Sequence, residues 1–299
     1  MKRKYGILLA ALIVIMVVGL LIPFNRKATN EKISRFGEYQ GYSEMVYDGA
    51  QRTSDFLTLS DGTRLAYDLF LPVKEDVVAD VPLPTLFKYT PYGRCWTVLD
   101  EDGKNNFSEL GMPWYYDPML RFRAWVMPNG EGKRMDALNR TEWLGDMVKS
   151  GYAVLVVDRP GTGASFGKLV QEPSVAAREA SQIIDWIAAQ EWSDGNVGMF
   201  GDSIQAQIQF QAASTGNPHL KAILPATTWM DNYSAVMFPG GVPNKAMANL
   251  YSQLNITFDK LATPVDQDVD GSLLAQARLE RGGVELAEKV VHIEEIPYR

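Results

Sequence analysis

Six consecutive apolar residues, Tyr152–Val157 (YAVLVV), stand between Gly151 and the turn residues Asp158-Arg159-Pro160-Gly161. A run this short and unbroken has no wet face, so it reads as a strand covered on both sides, the condition of an interior strand in a parallel sheet. Parallel strands need long crossovers, and the flanking sequence supplies helices for them. Asp136–Ser150 puts Leu144, Met147 and Val148 on one face and stops at Gly151. Pro173–Gln190 spaces Ala180, Ile183, Ile184 and Ile187 at helical intervals, with Pro173 suited to the first turn. Pro84–Tyr89, Val197–Phe200 and Leu220–Leu224 read as further strands, and Ser203–Ser214 as a helix. Upstream, Asp55–Leu71 alternates apolar and polar residues on both sides of Asp61-Gly62, the signal of an antiparallel hairpin. The expected class is α/β: a mainly parallel sheet opened by an antiparallel hairpin. Beyond Trp229 the rhythm breaks at Gly240-Gly241, Pro243 and Pro264, and only Ser272–Val291 keeps helical spacing.

One phrase in this order carries chemistry. Val197-Gly198-Met199-Phe200-Gly201-Asp202-Ser203-Ile204-Gln205-Ala206 places a serine between an expected strand and an expected helix. A nucleophile elbow holds its serine on a strained turn and needs small residues two before it and two or three after. Gly201 and Ala206 meet that need. Ser203 is then a candidate nucleophile for acyl transfer, with the backbone N–H of Ile204 at the helix start as an oxyanion donor. Taken alone, Gly-Asp-Ser describes a helix N-cap more readily.

Charge and residue counts narrow the alternatives. Lys2, Arg3, Lys4, Arg26 and Lys27 flank the apolar run Gly6–Ile22, and setting these five aside leaves 24 basic residues (29 less 5) against 36 acidic ones. So acidic a remainder disfavours nucleic acid as a partner. One cysteine, Cys95, and two histidines, His219 and His292, imply neither a disulfide framework nor a metal centre, and no cofactor is implied. The Gly6–Ile22 run has a helical length of about 25 Å, against a hydrocarbon core of about 30 Å. With no small-residue cleavage pattern behind it, the expectation is an N-terminal transmembrane helix partnering a membrane, with the soluble part outside the cytoplasm; secretion after signal cleavage is the alternative.

The phrases DGTRLAYDLFLP, PTLFKYTPYG, GYAVLVVDRPGTGASFG, IDWIAAQEWSDGNVGMFGDS and HLKAILPATTWMDNYSAVMFPGG, spread over Ser54–Gly241, resemble the cocaine esterase/X-prolyl dipeptidyl-peptidase group of α/β-hydrolases, the CocE/NonD family. That resemblance implies an α/β-hydrolase fold, a serine hydrolase activity on ester or amide bonds, and a small-molecule or short-peptide substrate. The family pattern G-x-S-Y-x-G falls on Gly201, Ser203, Ile204 and Ala206, with isoleucine and alanine where tyrosine and glycine are usual. The resemblance also implies a second oxyanion donor, a tyrosine hydroxyl in a Pro-Tyr turn, which maps to Tyr92. Asp158 and Gly161-Thr162-Gly163 match an architectural turn of the family. A helical cap is implied after Leu220–Leu224, so the expected divisions are 1–27 as anchor or signal, 28–52 as linker, 53–228 as hydrolase domain and 229–299 as the start of the cap. Trp229 and Phe238 are candidates to line an acyl pocket, although aromatics at a domain junction are more often simple packing.

A serine nucleophile needs a base and a carboxylate to orient it, and in this fold they follow the serine in the order acid, then histidine. Only 96 residues (299 less 203) follow Ser203, so the expectation is a chain that stops before either partner. His219 is too close in sequence to be the family's base; His292, with Asp266, Asp268 or Asp270, is a weak candidate. Two readings stay open: a serine hydrolase, and a non-catalytic module that keeps the fold for binding or structure. Oligomeric state is open as well.

Overall fold

A computed structural model describes residues 43–97, 134–229 and 231–282. Backbone contacts separate Met1–Glu44 from Met45–Arg299, and the architecture belongs to the second unit. In chain order it comprises β1 (Gly49–Thr58), β2 (Arg64–Lys74), β3 (Val77–Val78), β4 (Leu83–Thr90), β5 (Trp96–Thr97), β6 (Arg134–Met135), α1 (Ala137–Arg140), α2 (Glu142–Lys149), β7 (Ala153–Asp158), α3 (Pro173–Ala188), β8 (Ser193–Asp202), α4 (Ile204–Ala213), β9 (Leu220–Ala226), α5 (Lys245–Lys260) and α6 (Ser272–Glu280).

The main sheet runs β1-β2-β7-β4-β8-β9, with β3 pairing β2. The pairs β7/β4, β4/β8 and β8/β9 are parallel, while β1/β2 and β2/β7 are antiparallel. Thus the expected hairpin opens a parallel sheet, and all six residues of β7 are buried. On one face Ala180, Ile183, Ile184 and Ile187 of α3 and Ile208 of α4 pack on Phe87, Leu155, Val157 and Met199. On the other, Leu144 and Val148 of α2 cover Phe70, Val154, Val156 and Phe200. Each face buries about 1.5–3 kcal/mol per large aliphatic side chain, which is why this order of elements is stable as a three-layer stack.

Several boundaries differ from expectation. β1 begins at Gly49, inside the stretch read as linker, because its backbone pairs with β2 as far as Val73. The expected helix over Asp136–Ser150 is broken at Thr141, whose extended backbone (φ −139°, ψ 92°) separates α1 from α2, and Asp136 caps α1 by accepting from the Asn139 N–H. α5 lies in the stretch expected as the start of a helical cap, although no helical spacing is read over its residues.

The expected transmembrane helix is corrected. Among the described residues no helix is long and apolar enough to cross a membrane. The longest of them, α3 and α5, have 16 residues each, about 24 Å, and expose charged residues such as Arg178, Asp185, Lys245 and Lys260 to solvent. The Gly6–Ile22 run lies outside the described residues, whose fold is α/β.

Candidate active site

In a parallel sheet the loops at the carboxyl ends of neighbouring strands converge, and there β4 leads into Pro91-Tyr92 while β8 leads into Ser203. Ser203 has φ 58° and ψ −127° and makes no side-chain cap hydrogen bond to α4. An N-cap serine has extended backbone and bonds the second or third helical N–H, so the capping alternative fails on both counts. A non-glycine residue at this φ stores about 1–3 kcal/mol, held here by the Ser203 N–H donating to Ala226 O (3.1 Å) and by helix α4 behind it. Gly201 permits the close approach: a Cβ there would stand 2.7 Å from Gln205 Cβ. Ala206 is fully buried and its N–H donates to Ser203 O (3.0 Å). Ile204 is the first residue of α4, where N–H groups lack intrahelical acceptors.

Tyr92 is brought beside the serine. Burial, together with Tyr251, raises the pKa of its phenol above the ordinary tyrosine value, against an opposing pull from the nearby Ser203 hydroxyl. It therefore stays protonated and can donate to a developing negative charge. Gln205, between Ile204 and Ala206 on the elbow, links the two halves. It is 4% exposed, and its Nε2 donates to Thr90 Oγ1 (2.7 Å), the same oxygen that accepts the Tyr92 N–H (3.0 Å). The signal for it was a long polar residue where the elbow calls for a small one.

The loop that carries Tyr92 is fastened by a buried charge network. Arg94 Nε lies 2.9 Å from Asp68 Oδ1 and Nη1 lies 3.2 Å from Asp158 Oδ2, all three side chains being 0% exposed. Burial opposes the Arg94 charge, but Asp68 and Asp158 outweigh it, and the guanidinium is held above its usual pKa. Arg94 Nη1 also donates to Thr263 O (2.9 Å), while Arg140 Nη2 donates to Gly93 O and Arg94 O (3.1 and 2.7 Å). Asp158 thus earns its place in the turn by bonding this loop, and a side chain at Gly163 would overlap its carboxylate.

Under the elbow, on the α2 face, Lys88 Nζ lies 5.7 Å from the Phe200 ring. Burial lowers its pKa to about 8, with Arg140 adding to the shift and Asp202 opposing it. Because an unfolded lysine titrates near ~10.4, the unfolded chain binds more protons between about pH 8 and 10, so this group's contribution to stability rises with pH across that window. Lys88→Met should raise the melting temperature at pH 7 and flatten the rise. Parallel pH profiles for the two proteins would exclude this account.

The remaining candidates lie elsewhere. His219 bonds Gly195 O through Nδ1 (2.9 Å) at the start of β8, the far end of that strand from Ser203 and about 25 Å away at the usual strand rise. Asp266 accepts from Ser54 N and Arg52, Asp268 from the N–H groups of Leu273 and Leu274, and Asp270 from Ser272 N. Each is a structural acceptor. His292 lies outside the described residues. Phe238 is buried and stacked on Tyr233 with ring centroids 4.5 Å apart, which is packing within the segment between β9 and α5. A cavity of about 310 Å³ is lined by Pro91, Thr162, Lys168, Asn255 and Arg281, and neither Ser203 nor Tyr92 lines it.

The family described as X-Pro dipeptidyl-peptidase (S15 family) matches residues 61–290, most of the chain. The chain belongs to that family. Cocaine esterase of Rhodococcus sp. is 34% identical over 184 residues, which are 61% of this chain and 25% of that protein. A Mycobacterium bovis protein with a provisional serine-esterase name is 28% identical over 217 residues, 72% of this chain and 31% of its own length. The chain therefore spans about a third or less of these curated relatives. A CocE/NonD family hydrolase from Staphylococcus aureus has a similar fold, with TM-score 0.50 and 21% identity over 87% of this chain and 44% of that one. The expected CocE/NonD resemblance agrees with all three.

Proposed function

We propose that this S15-family chain is a serine hydrolase of ester or amide bonds in which Ser203 is the nucleophile and the Ile204 N–H and the Tyr92 hydroxyl form the oxyanion hole. The observation that carries the reading is the Ser203 backbone, φ 58° and ψ −127°, on a strand-to-helix turn with a protonated phenol at its side chain. Such strain persists only where the surroundings enforce it, and it serves to hold a hydroxyl clear of the helix and facing a substrate. Ser203 Oγ attacks the acyl carbonyl, its proton passes to a base, and the carbonyl oxygen collects negative charge between the two donors. The substrate class, small esters, amides or short peptides, follows from the relatives' names, cocaine esterase and Xaa-Pro dipeptidyl-peptidase.

A second reading, a non-catalytic binding module, is favoured by one observation: His219 is the one histidine among the described residues, and it sits at the wrong end of the sheet. A fluorophosphonate probe separates the two, because it reacts quickly only with a serine that has both a base and an oxyanion hole. One adduct per chain, mapped by peptide mass to Ser203, is the expected result. A folded sample that forms no adduct would leave the binding module as the better reading, and an adduct at another serine would move the nucleophile away from Ser203.

A further inference from the structure

We infer that Tyr251, on the cap helix α5, is a positioning residue: its hydroxyl donates to Tyr92 and so commits the single phenolic proton of Tyr92 to the oxyanion formed at Ser203. This rests on the reading of Ser203 as nucleophile. The two phenol oxygens are 3.1 Å apart, and Ser203 is the other hydroxyl near enough to act on the Tyr92 phenol, so Tyr92 is the group shared by Tyr251 and Ser203.

A phenol has one proton to give and lone pairs to receive. If Tyr92 donated to Tyr251, it would turn lone pairs toward the serine and repel the oxyanion it is meant to stabilise. If Tyr251 donates, the Tyr92 proton points the useful way, and each hydrogen bond polarises the next as charge develops. Only the second order works with the charge, and Tyr251 supplies its first proton.

The fold holds Tyr251 there for reasons unconnected with its hydroxyl. Phe258, seven residues along α5 and so on the same helical face, stacks on Trp96 (centroids 4.8 Å apart, 14° between planes) and leans on Tyr92 (5.5 Å). Trp96 Nε1 in turn donates to Tyr92 O (2.7 Å). Just beyond the helix, Thr97 N donates to Leu261 O (2.8 Å), and the hydroxyls of Thr97 and Thr263 meet at 2.8 Å. The cap helix is thereby pinned to the oxyanion loop by packing, and the Tyr251 oxygen is left for Tyr92.

The test is Tyr251→Phe, which keeps the ring and removes only the oxygen, compared with wild type and Ser203→Ala in the full chain. Two readouts are needed. The first is phosphonylation by the fluorophosphonate probe, with the limiting rate expected to fall about five-fold, the scale of one neutral hydrogen bond, at an unchanged half-saturating probe concentration and with a melting temperature lower by no more than a few degrees. The second does not depend on reactivity. In protein carrying ¹³Cζ-tyrosine, the Tyr92 resonance, identified by its loss in Tyr92→Phe, should shift in Tyr251→Phe. An unmoved Tyr92 resonance, or an unchanged limiting rate, overturns the inference. A wild-type chain that takes no adduct, or an adduct that survives Ser203→Ala, overturns the Ser203 reading instead, and the inference, which needs an oxyanion at Ser203, falls with it; a Tyr92 resonance that still moved would then mark a purely structural hydrogen bond.

Discussion

Arg94→Met should destabilise the fold by about 3–5 kcal/mol, the cost of removing one partner from a buried ion pair and leaving the other charge uncompensated. The side chain is similar in length, so packing is nearly conserved and the loss is electrostatic. Asp68 keeps a partner in Arg52, whose Nη2 lies 3.1 Å away, whereas Asp158 keeps only hydrogen bonds from the N–H groups of residue 94 and Ala164. Asp158 is therefore the group that suffers. Burial already holds the Asp158 pKa above its unfolded value of about 3.9 against the opposing pull of Arg94, and without Arg94 it rises further, so the variant loses more stability than wild type as pH climbs from about 4. The deficit against wild type should consequently be full at pH 7 and shrink as pH falls toward about 4. Urea denaturation at the two pH values measures it, and a deficit independent of pH would mean that packing, and not the stranded carboxylate, is responsible.

Tyr92→Phe should slow phosphonylation of Ser203 about 100-fold while leaving the protein folded, the usual consequence of removing one oxyanion donor. The phenyl ring keeps its contact with Phe258, and the backbone of residue 92 stays bonded to Thr90 and Trp96. Stability should fall by about 1 kcal/mol, for the hydrogen bond to Tyr251. Stopped-flow labelling of wild type and variant gives the ratio. A ratio near one would remove Tyr92 from the oxyanion hole and leave Ile204 as the donor in hand.

These two residues are two positions apart, and their coupling explains how the site is built. A phenol on a free loop would lose its position to thermal motion, and misplacement by about 1 Å costs a large part of catalysis. Here the loop is tied to β2 and β7 through Arg94, to α1 through Arg140, and to α4 through Gln205. The elbow and the oxyanion loop thus share one rigid frame, with Thr90 Oγ1 at the joint.

The order of elements, the central strand at Tyr152–Val157, the opening hairpin and the serine on its turn were all legible in the chain. They depend on short-range patterns, namely apolar runs, helical spacing and small residues flanking Ser203, and physical chemistry acts on those patterns locally. The choice between a capping serine and an elbow was not legible, because both use the same residues and differ only in backbone angles that the sheet and α4 impose together. Equally hidden were Gln205, Arg94 and Tyr251. A glutamine, an arginine and a tyrosine in isolation read as surface residues, and only contacts across up to 169 positions, such as Arg94 with Thr263, give them a partner. Sequence by itself determined the layers and the turn that carries the candidate nucleophile. Tertiary structure alone decided what surrounds it, since burial turns a polar side chain from solvated decoration into a fixed donor or charge, and burial is a property of the folded whole.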